Sequence, residues 1–212
     1  VIAYSSQVGA SKIALMLGYE KLKDAYYNFG FGKPISINFP SSAFGLMNTK
    51  DKISDKELAS LGYGYGLTIS PFQITSAYSV FANKGMYKDF KILKSDEVGL
   101  SRVISEDSAK HTLEALKEVV HIGTGKNADI NGYTEGGKTG TVHKTSYGNG
   151  YAEDSYRASF VGIAPLSEKS LTIFVSIDEP GLNAYSGGMI AAPLFKKIAD
   201  SSLNYLGYSE DE

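Results

Sequence analysis

Lys138-Thr139-Gly140-Thr141, preceded by Gly136-Gly137, gathers an ammonium, two hydroxyls and a position without a side chain into four residues. Turn formers precede the run and β-branched residues accompany it, so it reads as a strand starting from a Gly-Gly turn. On the edge of a sheet, such a strand offers backbone N–H groups, hydroxyls and a positive charge to an anionic or acyl substrate. Taken alone, the same residues are also a plain strand start. A second polar cluster, Ser5-Ser6-Gln7, opens an apolar helical segment. Alone it reads as an N-cap, because a serine hydroxyl accepts from the first unpaired N–H groups of a helix.

Other chemistries are poorly supplied. There is no cysteine, which removes disulfides, thiolate metal sites and a cysteine nucleophile. His111, His121 and His143 are widely spaced with no H-x-x-x-H pattern, so no metal site is expected. No cofactor is implied. A net charge of −2 over 212 residues argues against nucleic acid or an anionic membrane surface as the main partner. No apolar run approaches the length of a membrane span, and Val1-Ile2-Ala3-Tyr4 is too short for a signal sequence. The start on apolar residues running into a helix, without Met, is the start expected of a chain that begins inside a larger protein.

The elements that must position these residues follow from periodicity. Ser6 to Leu17 reads as a buried helix. Leu22, Ala25, Tyr26 and Phe29 form an amphipathic stripe that Gly30 closes. Residues 31–60 read as an irregular connection, with a short helix over Ser54–Ser60. Tyr63-Gly64-Tyr65-Gly66 is a loop. Ser70-Pro71-Phe72-Gln73 is a capping-box helix start, followed by the stripe Ile74, Ala77, Tyr78 and Phe81, with Gly85 at the C′ position. Ser105-Glu106-Asp107 opens a helix with stripe Ala109, Leu113, Leu116 and Val120, ended by Gly123-Thr124-Gly125.

The last third changes period. Lys138–His143, Ser159–Ile163 and Leu171–Ile177 read as three strands of an antiparallel meander, with polar Tyr151–Tyr156 as a hairpin tip. Pro193 starts a final helix carrying Leu194, Ile198 and Leu203. Helices, then strands, then a helix give an α+β fold with helices packed on an antiparallel sheet.

In order, the two polar clusters resemble the S-x-N and K-T-G motifs of the penicillin-recognising serine acyltransferases. Ser5-Ser6-Gln7-Val8-Gly9-Ala10-Ser11-Lys12-Ile13-Ala14 is similar to the S-S-N-V-G-x-S-K-x-A segment of class B penicillin-binding proteins. Gly64-Tyr65-Gly66-Leu67-Thr68-Ile69-Ser70-Pro71-Phe72-Gln73 resembles their G-Y-G-L-x-V-T-P-x-Q segment. Ile177-Asp178-Glu179-Pro180, Tyr185-Ser186-Gly187-Gly188 and Ala191-Ala192-Pro193-Leu194-Phe195 resemble their strand, aromatic loop and last helix. The family named by these segments is the division-specific, penicillin-binding protein 3 type of peptidoglycan D,D-transpeptidase. The resemblance runs nearly end to end, weakest over 31–60 and 86–104, and makes residues 1–212 part of a transpeptidase domain with a penicillin-binding protein/serine β-lactamase-like fold.

The resemblance implies roles. Ser5 relays a proton to the leaving group. Lys138 stabilises the substrate carboxylate, and the Thr139 and Thr141 hydroxyls bind it. The Thr141 backbone N–H is half of an oxyanion hole. Gly140 keeps the strand surface open to substrate. Gln7 stands where the family has Asn, with an amide one methylene longer, and is expected to alter substrate contact. Tyr185 either walls the acyl pocket or packs its loop, and Ser186 makes that wall more polar. His143 reads as a surface residue on the face of Thr141.

No S-x-x-K occurs in the chain. Thr141-Val142-His143-Lys144 has the spacing on a strand, which does not bring i and i+3 together. The nucleophile is therefore expected on an upstream segment, and this chain alone is expected to be inactive. The family implies peptidoglycan stem peptides ending in D-Ala-D-Ala as substrate, β-lactams as inhibitors and cell-division proteins as partners. It also implies the periplasmic side of the inner membrane, with an anchor outside this chain. A non-catalytic scaffold version of the fold and a serine β-lactamase are the alternatives.

Overall fold

The computed structural model describes residues 1–35, 43, 45–47, 50–145, 151–167, 169–181 and 184–211, with the backbone alone for 145 and 151–154. They divide into two units: Val1 with Ser5–Ala109, and Ile2–Tyr4 with the residues from Lys110 onward.

In the first unit, short polar side chains decide where helices begin. Ser6 caps α1 (Gln7–Leu17), its Oγ accepting the Gly9 N–H at 3.1 Å. Gly18, at φ +83°, separates it from α2 (Tyr19–Asn28). Reciprocal capping boxes start α3 (Asp55–Leu61) at Ser54 and Glu57, and α4 (Pro71–Ala82) at Ser70 and Gln73. Both helix starts match the sequence reading.

Gln73 does more than cap. Its Oε1 accepts the N–H groups of Ser70 at 3.0 Å and Gly45 at 2.9 Å, while its Nε2 donates to the carbonyls of Gly30 at 3.2 Å and Lys33 at 3.1 Å. All four valences of the amide are met on a side chain that is 1% exposed. One residue thereby fastens the start of α4 to described parts of the 31–60 connection.

Two expectations for this unit are corrected. α1 is not buried along its length: only Ala14 is covered, and Val8, Ile13 and Met16 are exposed. The helix is apolar around most of its circumference, so periodicity selects no face. α3 covers one side of it by close approach of small groups. A Cβ on Gly62 would lie 2.5 Å from the Ala14 Cβ, and Ser11 Oγ donates to the Ala59 carbonyl at 3.1 Å. Gly85 is not the C′ residue either. Lys84 takes that left-handed position at φ +53°, and Gly85 follows it, donating its N–H to the Val80 carbonyl at 2.8 Å. The glycine is needed because a Cβ there would meet the Ile104 carbonyl at 2.2 Å. It leads into a hairpin of β1 (Met86–Lys88) and β2 (Leu100–Arg102), whose three-residue strands are too short to show a period in the sequence.

α5 (Glu106–His121) crosses the division between the units and buries Ala109, Leu116 and Val120 of its expected stripe. In the second unit, β3 (Gly136–Thr145), β4 (Tyr151–Ala164) and β5 (Leu171–Asp178) form an antiparallel sheet in that order. Among the described residues the Lys138–Thr141 run therefore lies on an edge strand, the position from which its backbone and side chains can meet a substrate. Thr139 faces Phe160 across the ladder, Thr141 faces Ala158 and His143 faces Tyr156. Tyr151–Tyr156 is strand, not a hairpin tip. Its polarity reads as a turn, but pairing with the far end of β3 keeps it extended. Residues 146–150, between these two strands, lie outside the described residues.

α6 (Ala192–Leu206) covers the sheet, but not with the expected stripe. Leu203 is buried, whereas Leu194 and Ile198 face outward. The inward face is Ala192, Phe195, Ala199 and Leu203. Alanines let the helix axis approach the strands, and Gly162 leaves room for the Phe195 ring, which a Cβ would meet at 2.5 Å. Phe160, Val175, Ile130, Tyr133, Phe195 and Leu203 make this core.

Among the described residues no group of His, Asp and Glu could hold a metal ion, and no helix is long and apolar enough to cross a membrane.

Candidate active site

Lys138 is positioned by β3 and half-buried, and desolvation pulls its pKa below the usual lysine value. Its Nζ donates to the Thr139 carbonyl at 3.0 Å and to Thr139 Oγ1 at 3.3 Å. The charge is thus folded back onto the next residue of its own strand and placed over that residue's hydroxyl.

Thr139 and Thr141 share the opposite strand face from Lys138 and Gly140. Thr139 Oγ1 lies 2.8 Å from Thr124 Oγ1, which belongs to the turn after α5. Thr141 Oγ1 accepts the Gly187 N–H at 3.0 Å. A hydroxyl has one hydrogen and two lone pairs. With a lone pair engaged by the Gly187 N–H, Thr141 keeps its hydrogen to donate. Thr139 keeps its own when Thr124 is the donor of their shared bond, and a hydroxyl hydrogen suits an acceptor-only group such as a carboxylate.

Gly187 begins a single π-helical turn, Gly187–Ala191, that leads into α6 and is capped by Ser186 Oγ accepting from the Met189 N–H at 3.3 Å. A Cβ on Gly187 would lie 2.2 Å from the Ser159 carbonyl and 2.6 Å from that of Gly140. A Cβ on Gly188 would lie 2.3 Å from the Thr124 carbonyl. Asn127 Nδ2, in a short 3₁₀ turn (Lys126–Ala128), donates to the Gly188 carbonyl at 2.8 Å. Gly187 lets this turn lie directly on the strand backbone at Gly140, and Gly188 lets it pack on the Thr124 carbonyl. At Gly140 itself, an added Cβ would come within 2.5 Å of Ser159 Oγ, so packing as well as access favours glycine there.

Tyr185 stacks on Tyr156, with ring centroids 4.5 Å apart, and Tyr156 stacks on His143 at 4.6 Å. Three rings therefore form a column from β3 across β4 to the loop after β5. His143 lies on the Thr139–Thr141 face and is half-buried in this column rather than a simple surface residue.

Ser5 and Gln7 lie in the first unit. Ser5 is exposed and adopts φ +51°, an uncommon left-handed conformation for a residue with a Cβ. The N-cap role belongs to its neighbour Ser6. Gln7 is the first residue of α1 and is exposed. Lys138, Thr139, Gly140, Thr141 and Tyr185 all belong to the second unit, gathered around β3 and the π-turn.

Three participants are missed by sequence reasoning. Thr124 reads only as part of a helix-ending Gly-Thr-Gly. Tyr156 is hidden in a presumed hairpin tip, and Gly187 in a glycine pair. Only the Gly-Gly pair carried a signal, as a place where backbones approach closely.

Residues 1–200 match the family described as the penicillin binding protein transpeptidase domain. The chain is 36% identical, over 100% of its length, to a probable peptidoglycan D,D-transpeptidase, PbpC, of Pseudomonas aeruginosa, covering 38% of that protein. It is 32% identical over its whole length to peptidoglycan D,D-transpeptidase FtsI of Escherichia coli, covering 36% of it. The chain thus spans little more than a third of these relatives. The transpeptidase domain of penicillin-binding protein 3 from Burkholderia pseudomallei superposes with a TM-score of 0.89 at 34% identity, covering 98% of this chain and 63% of that one. Penicillin-binding protein 3 from Mycobacterium tuberculosis, in complex with aztreonam, superposes with a TM-score of 0.91 at 29% identity, covering 100% of this chain and 52% of that one.

Proposed function

From a chain that belongs to the penicillin binding protein transpeptidase domain family, we propose that the protein is a peptidoglycan D,D-transpeptidase and that β3 binds its acyl donor. The observation that carries this is the edge-strand cradle: the half-buried ammonium of Lys138 against the Thr139 hydroxyl, with the Thr141 hydroxyl two residues on along the same strand, both hydroxyls engaged as acceptors of N–H donors. That set matches the terminal carboxylate of a D-Ala-D-Ala stem peptide, an anion with acceptor sites only.

In the reaction, a serine Oγ attacks the penultimate D-alanine carbonyl. The C–N bond to the last D-alanine breaks and that residue leaves as the amine, taking a proton. An amine from a neighbouring stem peptide then attacks the acyl ester, forming the cross-link and returning a proton to the serine. Lys138, Thr139 and Thr141 hold the leaving residue's carboxylate. The Thr141 N–H stabilises the oxyanion, a contribution worth roughly 10²–10³ in rate for one donor. Ser5 relays the proton to the departing amine, and its left-handed backbone is the kind of strain that functional positions hold. Gln7 contacts the donor's peptide carbonyl, Gly140 lets its backbone approach, and Tyr185 walls the acyl side chain. The S-x-x-K serine and lysine are supplied by residues outside these 212. The setting proposed is septal wall synthesis on the periplasmic side of the inner membrane, with cell-division proteins as partners.

Intact mass after β-lactam treatment tests this. The full-length protein is expected to gain one covalently bound β-lactam, and this chain alone none. An unlabelled full-length protein would overturn the assignment, and a labelled isolated chain would overturn the placement of the nucleophile.

A further inference from the structure

We infer that Thr124 is a positioning residue of the carboxylate cradle, acting through Thr139, and so sets the preference for an acyl donor that ends in a free carboxylate. This rests on the transpeptidase reading above.

Two groups converge on Thr139 Oγ1. Lys138 Nζ reaches it at 3.3 Å and, as an ammonium, only donates. Thr124 Oγ1 lies 2.8 Å away. When Thr124 is the donor, both lone pairs of Thr139 Oγ1 are filled, and its single hydrogen points away from both neighbours. Thr139 is then fixed as a donor. Thr141, holding the Gly187 N–H, is likewise left with its hydrogen. Two hydroxyl donors on one strand face, one of them against a cation, select a carboxylate over an ester or amide, whose oxygens carry less charge.

Thr124 is held firmly enough to play this part. Its N–H donates to the Ala3 carbonyl at 3.1 Å. Its own carbonyl is packed by Gly188, where a Cβ would approach to 2.3 Å, and Gly188 is tied in turn to Asn127. Gly123 must lack a side chain, since a Cβ there would come within 2.1 Å of the Ala3 carbonyl. The Gly-Thr-Gly turn is thus more than the end of α5: it presents one hydroxyl to the edge strand from a rigid support. Pre-organising a donor in this way avoids the cost of orienting it during reaction.

The test uses the full-length protein, a labelled penicillin and the methyl ester of the same compound, with second-order acylation rates as readout. Thr124→Val removes the hydroxyl at nearly constant shape and is expected to slow acylation by the carboxylate form about tenfold. The ester rate should change by less than about twofold, so the carboxylate-to-ester preference falls. Thr124→Ser is expected to keep the preference. In a Thr139→Val background, Thr124→Val should add no further loss, because the two act as a unit. If Thr124→Val does not fold, Thr124→Ala is read the same way. Equal losses for both compounds, or additive losses in the double variant, would overturn the positioning role while leaving the transpeptidase reading intact. Absence of labelling in the unsubstituted protein would overturn both.

Discussion

Gly187 donates its backbone N–H to Thr141 Oγ1 at 3.0 Å, so the turn leading into α6 hangs from the same hydroxyl that ends the Lys138–Thr141 run. The contact requires glycine: a Cβ would stand 2.2 Å from the Ser159 carbonyl and 2.6 Å from the Gly140 carbonyl, and neither backbone atom can move away cheaply. Gly187→Ala is expected to destabilise the protein by about 1–3 kcal/mol, as overpacking does. It should also slow β-lactam acylation by displacing β3 or the turn. Urea unfolding and acylation kinetics check the two effects, and an unchanged unfolding midpoint would contradict the first.

Lys138 makes a pH-dependent prediction. Burial holds its pKa below the ordinary value of 10.5. Between that lowered value and 10.5 the unfolded chain binds more protons than the folded one, so this residue's contribution to stability rises with pH across the window. At neutral pH the charged form is a cost. Lys138→Met should therefore raise the urea midpoint at pH 7, with the gain shrinking toward pH 10.5, while abolishing acylation. A lower midpoint at pH 7 would show that the hydrogen bonds to Thr139 outweigh desolvation.

Gln73 joins four backbone groups in the first unit. Gln73→Ala leaves buried donors and acceptors unpaired and is expected to cost about 3 kcal/mol or more. Gln73→Glu should be nearly as harmful, because a carboxylate offers acceptors to the Gly30 and Lys33 carbonyls. Chemical denaturation of both variants would show it; a near-neutral Gln73→Glu would contradict the assigned direction of the bonds.

Tyr156 is the middle ring of the His143–Tyr156–Tyr185 column. Tyr156→Ala removes both stacked pairs, each worth about 0.5–1.5 kcal/mol beyond area burial, and releases Tyr185 from the sheet. Tyr185→Ala removes one pair and should cost correspondingly less. Unfolding free energies rank the two, and faster amide exchange at residues 184–188 in Tyr156→Ala is the accompanying sign. Equal costs would mean that the His143–Tyr156 pair contributes nothing.

Much of this protein is local in origin and therefore legible in its residues. The capping boxes at Ser54 and Ser70 act over three residues, and each starts a helix where the sequence places it. β3, β4 and β5 appear as β-rich runs, and the K-T-G run reads as a strand with an anion-binding composition, its place at the sheet edge coming from the strand order β3-β4-β5. The order of S-x-N and K-T-G segments identifies the family. What depends on partners distant in sequence was not legible. The face α6 buries was decided by Gly162 making space for Phe195, not by the larger Leu194 and Ile198. The residues at 151–156 became strand because β3 pairs with them. Thr124 gained its role only when folding set its hydroxyl 2.8 Å from that of Thr139, 15 positions away in the chain. Chemical type and short-range hydrogen bonding are written along the chain. The direction in which a hydroxyl donates is decided by which neighbours already occupy its lone pairs, and only the tertiary structure supplies those neighbours.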